Sequence, residues 1–311
     1  MELRIFTNLE KTKSISKPVL TTGTFDGVHL GHRKIIDRLN SATNKIGGES
    51  TLLTFAEHPR MVLHPEDHGL ELLNTLDEKL VLLENAGLQN LIIHPFTESF
   101  SRLSATEYVR DILVGKIGVS KLIVGYDHHF GRNREGDFNQ LQEFSSMYQF
   151  DLEEIPAHEV ENCRVSSTKI RQALNEGQII LASKLLGYPY QLSGKIVKGD
   201  QLGRKFGFPT ANIAVEKDHK LIPSNGVYAV RVYINGKRAK GMMNIGHKPT
   251  VSSSRQKTIE VHIFDWQQDI YNKEINIEFI DRIRQEIKFD STDKLIERLH
   301  VDRAQAESIL A

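Results

Sequence analysis

The chain has 311 residues in which 40 Lys+Arg balance 40 Asp+Glu, with 39% hydrophobic and 26% charged residues. Single cores stop growing at roughly 250–300 residues, so the length predicts two domains, and the apolar content lies well above that of disordered chains. Zero net charge excludes a protein whose main task is gripping nucleic acid or an anionic membrane, yet leaves room for a local basic pocket that takes a phosphorylated small molecule.

The opening MELRIFTNLEKTKS has no apolar core of leader type, and apolar runs such as 91–93 are far too short to span a bilayer. The expectation is a soluble, cytoplasmic protein. Residues 18–25 read as a strand that ends in the turn residues Asp26 and Gly27. From His32 the apolar positions Ile35, Ile36, Leu39 and Ile46 recur at helical spacing. Residues 51–55 form a second strand, 76–86 a helix with Leu76, Leu80 and Leu83 on one face, and 91–94 a third strand. Ser104 and Glu107 are spaced as a capping box, opening a helix whose apolar side carries Val109, Ile112, Leu113 and Ile117. Residues 121–125 are a fourth strand and 150–155 a fifth. Strands alternating with helices, with apolar strand cores, predict a parallel sheet covered on both faces. Cys163 is the only cysteine, which excludes an internal disulfide and a cysteine-based zinc site. It reads as an ordinary buried thiol, since a reactive one needs an electropositive, accessible setting.

Helical patterns follow at 166–177 and 179–186, and after Gly187 the grammar changes. Residues 190–197, 227–234, 238–245, 258–265 and 274–280 have β-type composition without intervening helices, and Asn235-Gly236 is the strongest short hairpin signal. These features predict an antiparallel sandwich or barrel. Residues 291–310 return to helix, with Leu295, Ile296, Leu299, Ala306 and Leu310 as the apolar stripe. The boundary falls near 186–190, giving domains 1–186 and 187–311.

Chemistry gathers first at 22–32, TGTFDGVHLGH, where a strand gives way to a helix. Gly23, Gly27 and Gly31 let the backbone turn tightly and approach a ligand, and the helix start offers free N–H groups to phosphate. His29 and His32 stand three residues apart, so one helical turn sets both imidazoles on the same side, where they can donate to a phosphoryl group. A tight turn with two surface histidines would explain Gly-x-x-Gly alone. The pair of histidines with Phe-Asp-Gly in this context favours function. A second helix start, Ser166-Ser167-Thr168-Lys169-Ile170-Arg171, reads by itself as an ordinary Ser/Thr cap with a basic face, and becomes a pyrophosphate clamp when paired with the histidine turn. The glycine-punctuated loop 125–136 follows the fourth strand, at the end where parallel sheets bind ligands.

In the second half, 199–212 reads GDQLGRKFGFPTAN. Gly199, Gly203 and Gly207 with Arg204 and Lys205 suit a backbone nest for polyphosphate, although no Gly-Lys-Ser/Thr follows as in a Walker loop. Thr210 and Asn212 are neutral oxygen ligands, fit for Mg²⁺ only when nucleotide phosphates complete the set. Glu260, alone, is the solvent-facing member of an alternating strand.

Across essentially its whole length the sequence resembles the bacterial bifunctional riboflavin kinase/FAD synthetase family. The resemblance rests on GTFDGVHLGH (23–32), GYDHHFG (125–131), SSTKIR (166–171), GFPTAN (207–212), NGVY (225–228), MNIG (243–246) and IEVHIFD (259–265). It implies a Rossmann-like α/β nucleotidylyltransferase domain with a parallel sheet, followed by a six-stranded antiparallel β-barrel with C-terminal helices. It further implies that His29 and His32 contact the ATP phosphates, with Gly23 and Phe25 in the same loop, that Asp127 lies at the nucleotide site, and that Ser167, Thr168 and Arg171 bind the phosphate tail. In the barrel, Thr210 and Asn212 would hold Mg²⁺–ATP, Glu260 would be the general base and Arg284 a flavin contact. The substrates and products would be riboflavin, FMN, FAD and ATP, with neither nucleic acid nor membrane as partner. His128 departs from the family, which more often has Phe there. Alternatives are an FMN adenylyltransferase with a flavin-binding or regulatory barrel, and a sensor that binds without turnover. The intact Thr210, Asn212 and Glu260 set and the paired histidines argue against the sensor.

Overall fold

The computed structural model describes residues 2–66, 69–156, 165–199, 203, 206–215, 219–247 and 257–311. Cys163, Arg204 and Lys205 lie outside these residues. The chain divides into two compact units, Met1–Ser166 and Ser167–Ala311. The helices Ser167–Asn175 and Ile179–Leu186 thus fall with the second unit, ahead of the boundary expected near 186–190. Local bonding explains this: Ser224 N–H donates to the Leu174 carbonyl at 3.2 Å, and Arg282 Nη1 to the Glu176 carbonyl at 3.2 Å.

In the first unit, β1 (Arg4–Phe6), β2 (Pro18–Thr22), β3 (Glu49–Phe55), β4 (Asn90–His94), β5 (Lys121–Gly125) and β6 (Asp151–Ile155) form one sheet in the order β1-β4-β3-β2-β5-β6. Every neighbouring pair is parallel. Five of the strands carry the apolar runs that predicted them. β1 does not, because its residues are mostly exposed. Leu20, Leu53, Ile92, Leu122 and Val124 pack with Val109, Leu113 and Ile117 in one core cluster. Each such side chain contributes about 1.5–3 kcal/mol when fully buried.

The order reverses between β2 and β5. The chain steps outward from β2 through β3 to β4, then returns to β5 on the other side of β2. The carboxyl ends of β2 and β5 therefore border the switch point where open α/β sheets hold ligands. Two helices differ in detail from expectation. Leu76–Asn85 buries Glu78, Leu82 and Leu83, whereas Leu76 is exposed. Its capping box turns the Glu78 carboxylate inward to accept from Thr75 N–H at 3.0 Å, which rotates the stripe. After the Ser104–Glu107 box, the helix continues through Tyr108–Ile117 as a π-helix, so that Tyr108 joins the buried face and Ile112 is only partly covered.

The second unit is a closed antiparallel barrel ordered β10-β11-β8-β7-β12-β9. Its strands are β7 (Gln191–Val197), β8 (Ala211–Ala214), β9 (Gly226–Ile234), β10 (Lys237–His247), β11 (Lys257–Ile263) and β12 (Glu274–Arg284). Composition indicated five of them. The sixth, β8, is short and sits directly after the glycine-rich loop. Asn235 and Gly236 both have positive φ, 50° and 71°, which is the two-residue turn that matches strand twist. Tyr190, Tyr228 and Phe279 are fully buried. Among the described residues a single C-terminal helix, Thr292–Ile309, stands where helices were expected, and Ala306 and Leu310 pack with Phe208, Ala229, Met242 and Phe264.

Candidate active sites

The turn after β2 is held by unusual backbone. Phe25 and Val28 take φ of 47° and 36°, a region costly for residues with a Cβ and most of all for a β-branched one. Such strain persists only where surroundings over-determine it. Here the buried Asp26 carboxylate accepts from Leu73 N–H at 3.0 Å and Asn74 N–H at 3.4 Å, pinning the turn to the chain ahead of Leu76. Gly23 N–H donates to the Leu53 carbonyl at 3.0 Å.

His29 is the N-cap of the helix Leu30–Ile46, and its Nδ1 accepts from His32 N–H at 3.3 Å. The two imidazoles stack with centroids 3.7 Å apart and planes 14° apart, and Phe25 covers His32 at 4.5 Å. The structure thus brings Gly23, Phe25, His29 and His32 together at a helix N-terminus. Burial holds His32 well below the ordinary imidazole value, with repulsion from His29 and Lys79 adding to it. The neutral form of His32 is favoured accordingly. Lys79 is a residue that sequence reasoning missed. Its ammonium donates to the Thr24 carbonyl at 2.9 Å, and burial lowers its pKa against the opposing pull of Asp26. No motif marked it; only the fold brings its helix to this turn.

Loop 125–136 leaves β5, the strand beside β2. Asp127 is exposed, and Phe130 is buried under Gly136 through a two-residue bridge. A Cβ on Gly136 would lie 2.6 Å from that ring. His128 stacks on Phe130 at 5.9 Å, and burial depresses its pKa to about 4. Ser167, Thr168 and Arg171 open the helix Ser167–Asn175, whose Ile170, Ala173 and Leu174 are buried within the second unit.

In the barrel, Glu260 lies directly across the β8–β11 pair from Asn212. Thr210 Oγ1 donates to Glu260 Oε2 at 3.1 Å. Three side chains chosen from sequence therefore converge on one strand pair. One glycine of the preceding loop is needed by close approach, since a Cβ on Gly203 would collide with the Phe208 carbonyl oxygen, whereas one on Gly199 would displace the Asn212 amide. Gly207 has φ of 81° and open space around it. Thr210 and Asn212 offer neutral oxygens, and among the described residues no cluster of three His, Cys, Asp or Glu could hold a metal. The donor set fits Mg²⁺ carried in on nucleotide phosphates and no independent metal centre. Arg284 is engaged elsewhere. Its Nε donates to both oxygens of the fully buried Asp302, at 3.0 and 2.8 Å, and its Nη1 to the Gln285 carbonyl at 3.0 Å.

Comparison with known proteins matches both halves. The FAD synthetase family model covers residues 11–169 and the riboflavin kinase family model residues 186–310. The bifunctional riboflavin kinase/FMN adenylyltransferase of Listeria monocytogenes is 35% identical over 293 residues, spanning 94% of this chain and 92% of that protein. The protein of the same name from Escherichia coli K12 is 38% identical over 289 residues, spanning 93% and 91%. A crystal structure from Streptococcus pneumoniae, named as a macrolide-efflux protein, superimposes with a TM-score of 0.87 at 30% identity over 99% of both chains. Among the described residues of the present chain, no helix is long and apolar enough to cross a membrane.

Proposed function

The chain belongs to the riboflavin kinase and FAD synthetase families in their bifunctional combination, and from that membership we propose which of its residues run the two reactions. The enzyme phosphorylates riboflavin with ATP to FMN and adenylylates FMN with ATP to FAD, releasing pyrophosphate. We assign FMN adenylylation to residues 1–186 and riboflavin phosphorylation to residues 187–311.

In the barrel, Glu260 accepts the proton of the ribityl 5′-hydroxyl, whose oxygen attacks the γ-phosphorus as ADP leaves. The Thr210 hydroxyl orients the carboxylate through its 3.1 Å hydrogen bond. Thr210 and Asn212 would hold Mg²⁺, which neutralises phosphate charge when bound. Backbone N–H groups of the Gly199–Gly207 loop, with Arg204 and Lys205, would take the rest. Positioning and electrostatics supply most of the rate, and the base about 10²–10⁴-fold. Arg284 serves as an anchor for the C-terminal helix in this reading, since Asp302 and Gln285 take its donors.

In the first domain the nucleophile is the FMN phosphate, already an anion, so no base is required. It attacks the α-phosphorus of ATP and pyrophosphate departs. The task is to bring anions together. His29 and His32 donate to the phosphates beside the helix N-terminus, Lys79 adds charge at the same turn, and Asp127 faces the nucleotide. A neutral His32 donates without competing for a proton.

The convergence of Thr210, Asn212 and Glu260 on one strand pair carries this reading, because a barrel retained only for flavin binding has no use for a bonded base. Glu260→Ala at saturating substrate is expected to lose about 10²–10⁴-fold in FMN formation while FAD formation from supplied FMN persists. Near-wild-type kinase turnover would remove Glu260 from the role.

A further inference from the structure

Pro209 and Thr210 stand between the glycine-rich loop and β8, where no strand ladder holds them. The register of β8 on β11 comprises Asn212 with Glu260 and Ala211 with Val261. Proline has no N–H to donate, so the ladder cannot run back through residue 209. Thr210 nevertheless keeps its hydroxyl 3.1 Å from Glu260 Oε2, which requires this short stretch to be fixed by other means.

His262 supplies them. It lies two residues beyond Glu260 on β11, so both side chains leave the same face of the strand. Its Nδ1 is 2.8 Å from the Pro209 carbonyl oxygen. A carbonyl only accepts, so Nδ1 carries the proton and donates, and Nε2 keeps its lone pair. That Nε2 is enclosed by protein and has no partner. The ring is buried, edge-on to Phe208 at 5.3 Å and tilted against Phe264 at 5.6 Å. A phenylalanine would fill this aromatic setting without leaving a polar nitrogen unsatisfied, so what the imidazole adds is its bond to Pro209. Three consecutive residues are thereby held. Phe208 lies between His262 and, at 5.0 Å, His300 of the C-terminal helix, Pro209 accepts from Nδ1–H, and Thr210 donates to Glu260. One face of β11 carries both the base and the group that places the base's partner.

We propose that His262 is a positioning residue of the kinase reaction: through the Pro209 carbonyl its Nδ1–H fixes Thr210 for two tasks, orienting Glu260 and meeting the nucleotide phosphates. The inference rests on the assignment of Thr210 and Glu260 to phosphoryl transfer. His262 acts on the substrates only through residue 210.

His262→Phe keeps an aromatic ring and removes the donor. In the full chain it is expected to lower kcat/KM for ATP in FMN formation about 10- to 100-fold, between the worth of one hydrogen bond and that of a misplaced catalytic group. The riboflavin KM and FAD formation from supplied FMN stay unchanged. His262→Asn carries an amide nitrogen on Cγ, where Nδ1 is attached, and is expected to restore activity to within about threefold of wild type. Added to Thr210→Ala, His262→Phe is expected to cost less than about a further twofold, because the residue through which it acts is already gone. Equal losses in the Asn and Phe variants, losses that multiply in the double variant, or a riboflavin KM that rises in place of the ATP KM overturn the proposal. Failure of the underlying reading looks different, because Thr210→Ala and Glu260→Ala would then both retain FMN formation whatever His262 does.

Discussion

Glu260 illustrates how much a single residue's role depends on its neighbours. A glutamate in the middle of an alternating strand is indistinguishable, by pattern, from any solvent-facing acid. Thr210 at 3.1 Å gives it a partner that orients it, and Asn212 across the register completes the set proposed to meet the nucleotide phosphates. Glu260→Gln keeps the shape and removes the basicity, so it separates proton acceptance from packing: FMN formation should fall about 10²-fold or more, with the riboflavin KM nearly unchanged. A large KM effect with kcat retained would mean that the carboxylate binds substrate and does not take its proton. His128 carries a different kind of prediction. Its pKa is depressed to about 4 by burial, so the unfolded chain binds a proton near pH 6.5 that the folded chain resists. Stability from this residue is complete above about pH 6.5 and declines as pH falls toward 4. His128→Phe should flatten the Tm-against-pH curve between pH 6.5 and 4, and an unaltered slope would contradict it.

At the level of elements, the helix Thr292–Ile309 is fastened to β12 by an ion cluster. Asp302, fully buried, receives Arg284 and, at 2.9 Å, Arg298. Removing the acid leaves the largely covered Arg284 guanidinium without its carboxylate, so Asp302→Ala is expected to cost about 2–4 kcal/mol in denaturant unfolding, where an exposed ion pair would be worth about 1 or less. Gly131 has φ of 73°, and a Cβ there would sit 2.8 Å from the Ala105 nitrogen. Gly131→Ala should destabilise by more than about 1 kcal/mol. Elements with strong local signals were legible in the sequence: five strands of the sheet, five of the barrel, the Ser104 capping box and the Asn235-Gly236 turn. β1 and β8 were not, because a three- or four-residue strand shows its identity only in its partner's register. The stripe of Leu76–Asn85 was misread because Glu78, charged, is buried by its cap.

Across the whole molecule, zero net charge conceals cationic and imidazole groups collected at the separate anion sites proposed above. The histidine turn was visible as a motif, and the fold adds its place: it leaves β2 at the point where strand order reverses, next to the loop that leaves β5. Lys79 was invisible because it belongs to no pattern, and it acquires meaning only from what the chain folds beside it. The assignment of two chemistries to two sites is the claim on which everything else depends. Its most direct test is to incubate the full-length His29→Ala/His32→Ala variant with riboflavin, ATP and Mg²⁺ and to separate FMN from FAD. Accumulation of FMN at near-wild-type rate with no FAD is the predicted result. Loss of both products from a variant whose circular dichroism and melting match the wild type would contradict two separate sites.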